Sequence, residues 1–163
     1  MYLDKERTEY GLSRIAISDV NDKGKYISVS GHELGTIPVD EEDVGYDVIP
    51  VTGWPILGST NEVQLGTHRY VRAVRICTNE NDQHRLKGLL VKAAYVGEEF
   101  GEYCQEEGVA DEYEQPNCDK WHNWLSCPVG EIAFGLRMNY DSDQRAYTGI
   151  DLKCAELQWS ADW

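Results

Sequence analysis

The sequence predicts an all-β domain, and two observations carry that prediction. Apolar and polar residues alternate at a period of two along much of the chain, which is typical of half-buried strands rather than helices. Glycine occurs 15 times and stands mostly between these runs, where turns need it. The length of 163 residues suits one domain with a substantial core. We therefore expect many short strands in a sandwich, a barrel or a prism.

The alternating runs locate the expected strands. The clearest are Ile15/Ile17, Ile27/Val29, Ile132/Phe134/Leu136/Met138 and Ile150/Leu152/Cys154. Only the segment "RLKGLLVKAAYVGEEFGEYC" (85–104) could be argued as a helix, and its glycines and valines favour a strand instead. The acidic stretch 97–118 is interpreted as a surface loop or excursion from the sheet.

An internal repeat supports the same fold class. Residues 71–96 align without a gap to residues 132–157, with identities at Asp82/Asp143, Gln83/Gln144, Gly88/Gly149, Lys92/Lys153 and Ala94/Ala155. Arg75 then falls opposite Leu136, which indicates that the two first strands are offset by one residue, and such an offset exchanges the faces of a strand. A third copy is expected near 10–31. We predict a single domain, 1–163, with repeat-like units at about 10–60, 61–120 and 121–163.

The segment "WHNWLSCPVGEIAFGLRMNYDSDQRAYTGIDLKC" (121–154) predicts a β-hairpin. Pro128 and Gly130 make a turn into the first strand. A polar loop then reverses the chain into the second strand. Cys127 and Cys154 bracket this hairpin, so they are expected to lie side by side.

Five cysteines allow fifteen ways of forming two disulfides. No Cys-x-x-Cys spacing or histidine pair points to structural zinc. We favour a Cys127–Cys154 bridge, which would close about 26 residues and stabilise by about 3.5 kcal/mol. A Cys104–Cys118 bridge would pin the acidic stretch and leave Cys77 as a buried free thiol. The alternative is a cytosolic protein with five reduced cysteines.

The same segment carries a family resemblance. The residues that carry it are Trp121, Trp124, Cys127, Pro128, Gly130, Asp143, Gly149, Ile150, Leu152 and Cys154. They resemble one repeat of the vitelline membrane outer layer protein I family. The resemblance implies a β-prism of three Greek-key sheets around a pseudo-threefold axis, an architecture shared with jacalin-like lectins, and an association with carbohydrate. It covers 121–154 and, more loosely, 71–96, where "LGTHRYV" stands in place of Cys-Pro-x-Gly and the second strand ends in Ala93 rather than cysteine.

The charge limits the classes of partner. There are 15 Lys plus Arg against 29 Asp plus Glu, a formal net charge of −14. Such a chain repels phosphate backbones, so we expect no nucleic-acid partner. No apolar run approaches 18 residues, so we expect no membrane insertion. The start "MYLDKERTEYGL" lacks the apolar core of a signal peptide. The acidic balance suits a soluble secreted protein, cation binding or a basic partner, and we expect a secreted, extracellular protein.

A carbohydrate site is the sharpest functional hypothesis. Aromatic rings stack on the C–H faces of sugars, while Asp, Asn and Gln side chains bind hydroxyl groups. The candidate residues are Trp121, His122, Asn123, Asp141, Asp143, Gln144, Trp159 and Asp162. The alternative for each tryptophan is packing within or between sheets, with Trp124 the first to be buried. The alternative for His122 is a surface histidine with its hydrogen bonds already made.

Calcium is the candidate cofactor, although none is required by the lectin hypothesis. The loop "NYDSDQR" offers Asp141 and Asp143 as metal ligands, but it lacks the glycine and glutamate of an EF-hand. A solvated loop tip is the alternative.

The predicted function is therefore extracellular carbohydrate binding, with glycans or glycoproteins as partners and an open oligomeric state. The alternatives are a non-catalytic interaction or structural module with an acidic surface, or a glycan-acting enzyme. The sequence has no G-x-S-x-G or H-E-x-x-H motif, but its many carboxylates leave glycoside hydrolysis open.

Overall fold

The chain folds into antiparallel strands. The computed structural model of the protein describes residues 10–18, 26–33, 60–80, 85–97, 101–141 and 146–157. Over these ranges there is no helix, so no membrane-spanning helix is found there. The predicted all-β class is confirmed. The strands are β1 (Tyr10–Ser18), β2 (Tyr26–Glu33), β3 (Thr60–Gln64), β4 (Arg69–Thr78), β5 (Leu86–Val96), β6 (Tyr103–Gln105), β7 (Asp111–Glu114), β8 (Lys120–Trp121), β9 (Leu125–Ser126), β10 (Glu131–Asp141) and β11 (Ala146–Glu156).

The described strands form three sheets. In the first sheet the strand order is β2-β1-β3. The second sheet has the order β6-β5-β4-β8, and β7 also pairs with β5 while β9 also pairs with β4. The third sheet consists of β10 and β11 over the described residues. Each sheet therefore contains one long hairpin, β1–β2, β4–β5 or β10–β11, and the segment 85–104 is strand as predicted.

The three hairpins share a β-bulge at the same place. The register shifts by one residue near the start of each first strand, and the extra residues are Ser13, Arg72 and Phe134. In two sheets the carbonyl of the extra residue accepts a hydrogen bond from a neighbouring segment. Leu65 N donates to Ser13 O at 2.8 Å, and Cys127 N donates to Arg72 O at 2.7 Å. Leu65 and Cys127 thus occupy equivalent positions, each leading into the next hairpin.

A second bulge relates β4–β5 to β10–β11 more closely. Lys87 is the extra residue in β5, and Thr148 is the extra residue in β11. The registers align Lys92 with Lys153 in the second strands, but Val71 with Ala133 in the first strands. The predicted one-residue offset between the first strands is confirmed, and it places Arg75 opposite Arg137 rather than Leu136.

The turns that lead into these two hairpins also match. Arg69 N donates to Gly66 O at 3.2 Å, and Glu131 N donates to Pro128 O at 3.0 Å. The third residue of each turn has a positive φ, 61° at His68 and 87° at Gly130. The segment "LGTHRYV" therefore makes the same turn as Cys-Pro-x-Gly, with a histidine in the left-handed position that glycine favours.

Equivalent residues of the three hairpins meet in the interior. Gly11, Tyr70 and Ile132 occupy the same position in their hairpins, two residues before the extra residue of the bulge. A Cβ on Gly11 would clash with Tyr70 and lie 2.8 Å from Cδ1 of Ile132. The strands β1, β4 and β10 contact one another pairwise. The main core is built from inward residues of all three hairpins, including Leu12, Ile15, Val71, Val74, Ala133 and Ile150.

One predicted disulfide is confirmed and the other is wrong. Cys127 and Cys154 are bonded, with a Cα–Cα distance of 5.6 Å. Cys118 is bonded to Cys77, and Cys104 is a free, exposed cysteine. Cys104 lies in β6 and Cys118 just before β8, at opposite edges of the second sheet. The β5 and β4 strands lie between those edges. Three strand spacings of about 4.8 Å each therefore separate β6 from β8, and this distance is too long for a disulfide bond.

The acidic stretch 97–118 is more than a surface loop, contrary to that interpretation. It contributes β6 and β7 to the free side of β5. The chain then crosses to β4, where Asp119 N donates to Thr78 O at 3.1 Å and β8 begins. This path extends the hairpin β4–β5 on both sides. It also brings residues 121–124, which we call the tryptophan segment, against β4.

Candidate functional site

The outer face of the second sheet carries the candidate site. Along β4 and β5, alternate residues point into the core, such as Val74 and its partner Val91. The partners Arg75 and Leu90 therefore point outward, as does Lys92. We call the surface formed by Arg75, Leu90, Lys92, Trp121 and Trp124 the tryptophan face.

Trp121 lies across the strands rather than projecting from them. It pairs with Cys77, which pairs in turn with Gly88. A Cβ on Gly88 would lie 2.9 Å from Cη2 of Trp121, so the absent side chain makes room for the indole. The indole is half-buried. Trp121 therefore packs on the sheet and keeps part of its side chain in solvent, and its role in sugar binding stays a prediction.

Trp124 contacts a lysine of β5, which lies on the far side of β4. The ammonium nitrogen of Lys92 lies 4.7 Å from the centroid of the Trp124 ring. Ala73 pairs with Lys92 on one side and with Ser126 on the other, so its small side chain lies between them. Ala73 is fully buried although it points outward, as expected if Lys92 and Trp124 meet above it. Trp124 is half-buried, and less enclosed than predicted.

Arg75 contacts two neighbouring residues of the segment 121–124, Trp121 and His122. Its Nε donates to His122 O at 2.6 Å, and its guanidinium carbon lies 5.9 Å from the Trp121 ring centroid. This bond fixes the chain between the two tryptophans. Asn123 is exposed, so its amide is available to a ligand.

His122 has a structural position. Its backbone N donates to Ile76 O at 2.9 Å, and its Nε2 lies 2.7 Å from Oγ1 of the buried Thr78. The side chain is half-buried. These contacts match the interpretation of His122 as a satisfied histidine, and they leave less of its ring for a sugar than the site prediction assumed.

Two carboxylates border the tryptophan face on the other side. Glu112 pairs with Leu90 and Glu114 pairs with Gly88, so both point outward from β7. Both residues are exposed. The face is thus asymmetric, with acidic groups along β7, cations in the centre, and indoles along β8 and β9.

The remaining predicted site residues are not brought to this face by any described contact. Asp141 ends β10, and the structure describes its backbone pairing with Ala146 but not its side chain. The other predicted residues lie outside the described residues: Asp143, Gln144, Trp159 and Asp162.

The calcium hypothesis at Asp141 and Asp143 stays a prediction for the same reason. Among the described residues, no group of three or more His, Cys, Asp or Glu side chains could hold a metal ion. In the corresponding loop of β4–β5, Asn79 is buried, and its Oδ1 accepts a hydrogen bond from Arg85 N at 2.6 Å. That side chain closes the loop instead of binding a cation.

Sequence analysis missed Arg75 and Lys92 as site residues. Each is a cation with an apolar residue on both sides in its strand, and each belongs to the outward set of the period-two pattern. That signal was present in the sequence. The proximity of these cations to the tryptophans was not, because it depends on β8 and β9 pairing with β4.

Comparison with known proteins adds no family assignment. Neither the protein-family models nor the curated protein sequences match this chain. The resemblance to the vitelline membrane outer layer family therefore rests on the residues named above.

Proposed function

We propose that this protein is an extracellular carbohydrate-binding β-prism that binds sugar on the tryptophan face. The observation that carries the proposal is the pair of half-buried indoles, Trp121 and Trp124, held on the outer surface of one sheet. Rings that are anchored on one side and open on the other offer stacking surface at low entropic cost. Asn123 and the cations beside the rings supply donors for sugar hydroxyls.

The repeated architecture supports the prism part of the proposal. The three hairpins have the same bulge, and their first strands contact one another pairwise. Their equivalent residues meet at Gly11, Tyr70 and Ile132. A pseudo-threefold axis would produce this arrangement. The resemblance of 121–154 to the vitelline membrane outer layer family points to the same architecture.

Two disulfides support the extracellular part. Cys77–Cys118 and Cys127–Cys154 are both formed, and such bonds persist in oxidising compartments. We propose glycans or glycoproteins as the partners.

A glycan array tests the function directly. The protein is applied with and without calcium, and hits are measured again by isothermal titration. We expect binding to a limited set of pyranose glycans that does not require calcium if the tryptophan face is the site. No binding to any glycan under either condition would exclude the proposal.

A pair of matched variants localises the site. Trp124→Ala is expected to weaken binding at least tenfold, because stacking on a sugar needs the face of the aromatic ring. Phe134→Ala removes another exposed aromatic, 41% accessible, from the third hairpin, and it should leave binding unchanged. Thermal unfolding of both variants separates lost binding from lost folding. Equal effects of the two variants would contradict a site on the tryptophan face.

A further inference from the structure

The tryptophan face carries two cations, Arg75 and Lys92, and neither forms an ion pair with a described residue. The ion pairs among the described residues are Arg14–Glu62 and Arg69–Glu106. Arg72 is buried and donates to the backbone carbonyls of Ala93 and Glu106. Within the same part of the chain, Lys92 has the Trp124 ring as its partner, and Arg75 has His122 O and the Trp121 ring.

We propose that the ligand of the tryptophan face is an anionic saccharide, a pyranose that carries a carboxylate or a sulfate. This inference rests on the proposed function and narrows it to a substrate class. The indoles would stack on the C–H face of the sugar ring, while the anionic substituent would bind the ammonium of Lys92 and the terminal nitrogens of Arg75.

Charge complementarity is the first argument for this class. The chain has a formal net charge of −14, yet neither Arg75 nor Lys92 takes part in the ion pairs found among the described residues, Arg14–Glu62 and Arg69–Glu106. Two cations that face solvent together on such a surface can be satisfied by an anion from outside the chain. A neutral sugar would leave both cations without an anionic partner.

The chemistry of the two cations is the second argument. A guanidinium has five N–H donors, and only the Nε of Arg75 has a described acceptor, His122 O. The other four donors are arranged as a planar fork that matches a carboxylate or sulfate. Lys92 is held over Trp124 by a cation–π contact, which is weaker than a charge-assisted hydrogen bond. An anion placed at the edge of the stacked sugar would gain both interactions.

The acidic border gives the site a direction. Glu112 and Glu114 point outward from β7 beside Leu90 and Gly88. They repel an anionic group on that side. The anionic substituent is therefore expected near Lys92 and Arg75, with the neutral part of the saccharide extending over the indoles.

Matched pairs of polysaccharides test the ligand class. Polygalacturonate is compared with its fully methyl-esterified form, and dextran sulfate with dextran, by isothermal titration at low and at moderate salt. We expect one or both anionic members to bind at least tenfold tighter than the neutral partner, with affinity falling as salt rises. The first pair reports a carboxylate and the second a sulfate. Polyglutamate serves as an anion without a sugar and should not bind.

Variants connect the preference to the face. Lys92→Met keeps an unbranched apolar side chain beside Trp124, one atom shorter than lysine, and removes the charge, so it should weaken anionic binding about tenfold and reduce its salt dependence. Lys153→Met is the control, because Lys153 holds the equivalent position in β11 and is exposed, and no described contact joins it to a tryptophan. It makes the same change in net charge and should have no effect. Glu112→Gln should strengthen binding two- to threefold.

The outcomes separate the two proposals. If neutral and anionic glycans bind equally, and Lys92→Met binds as well as the native protein, the anionic class is wrong while carbohydrate binding stands. If polyglutamate binds as tightly as the polysaccharides, the face is a general polyanion surface and the saccharide assignment fails. If no glycan in either pair or on the array binds, the proposed function itself is wrong.

Discussion

The hairpins β4–β5 and β10–β11 have the same backbone plan and different chemistry. Both have two bulges at matching positions and a lead-in turn with one left-handed residue. In β10–β11 a disulfide joins Cys127 to Cys154. In β4–β5 the equivalent residues are Leu65 and Ala93, both buried in the main core. The same backbone is therefore stabilised covalently in one hairpin and by apolar packing in the other.

The two hairpins also differ on their outer faces. The Lys92 ammonium lies over Trp124, whereas the equivalent Lys153 is exposed near Gly135. The extra residue of the first bulge is the buried Arg72 in one hairpin and the exposed Phe134 in the other. Register determines where the bulges and the core lie, and it leaves the outward side chains free to differ. A binding face can thus be placed on one repeat without altering the others.

Among the changes that test this comparison, removing the Cys127–Cys154 bridge should have the largest effect on stability. Alanine at both positions is expected to lower the free energy of unfolding by about 3 kcal/mol, because the unfolded chain regains the freedom that the closed loop removed. Urea denaturation measures the loss, and hydrogen exchange should show β11 losing protection before β5. Cys104→Ala, at the free cysteine, should change stability by less than about 0.5 kcal/mol. An unchanged midpoint for the double variant would refute the prediction.

Substitution at Gly11, where the three hairpins meet, should have the second largest effect on stability. Gly11→Ala adds a methyl group where Tyr70 and Ile132 already lie, and overpacking of this kind costs about 1–3 kcal/mol. Gly66→Ala is the control, since a Cβ there would meet nothing within 4 Å. Thermal and urea unfolding of the two variants should differ clearly, and equal stability would mean that the three hairpins do not converge at Gly11.

The left-handed turn residues provide a smaller test. Gly130→Ala should cost about 1 kcal/mol, because a Cβ is disfavoured at positive φ. At His68 the Nδ1 lies 3.1 Å from Val96 O, so the imidazole offsets part of that strain. We expect His68→Ala to be less stable than His68→Gly, since alanine keeps the Cβ and loses the imidazole contact. The reverse order in thermal unfolding would show that the two turns are not equivalent.

The smallest effect concerns reactivity rather than stability. One thiol per chain, that of Cys104, should react with a maleimide in the folded, non-reduced protein, because it is the free and exposed cysteine. Peptide mapping of the labelled protein identifies the site. Labelling at Cys77 would contradict the Cys77–Cys118 bond.

Much of the fold could be predicted because its signals are local. Period-two alternation predicted the strands of β10–β11, and the bracketing positions of Cys127 and Cys154 predicted their bond. The misfit of Arg75 with Leu136 even indicated the one-residue offset, which arises because the connection from Thr78 to Leu86 is one residue longer than the connection from Tyr140 to Tyr147. The acidic stretch 97–118 was misinterpreted because short edge strands such as β6 and β7 have little apolar alternation of their own.

The candidate site could be predicted only in part. Trp121 and Asn123 were found from residue types that stand together in the sequence. Lys92 was not, because it lies on a strand that reaches Trp124 across Ala73.

The sequence by itself determined the all-β class, the hairpin 127–154 and the aromatic segment that became the candidate site. The tertiary structure decided that Cys118 bonds to Cys77, and that Arg75 and Lys92 lie beside the indoles. The physical reason is that alternation and turn chemistry act between near neighbours in the chain, whereas strand order is decided by how the hairpins pack together. Contacts between residues that are far apart in the chain, such as Lys92 with Trp124, therefore form only when the strands have packed together.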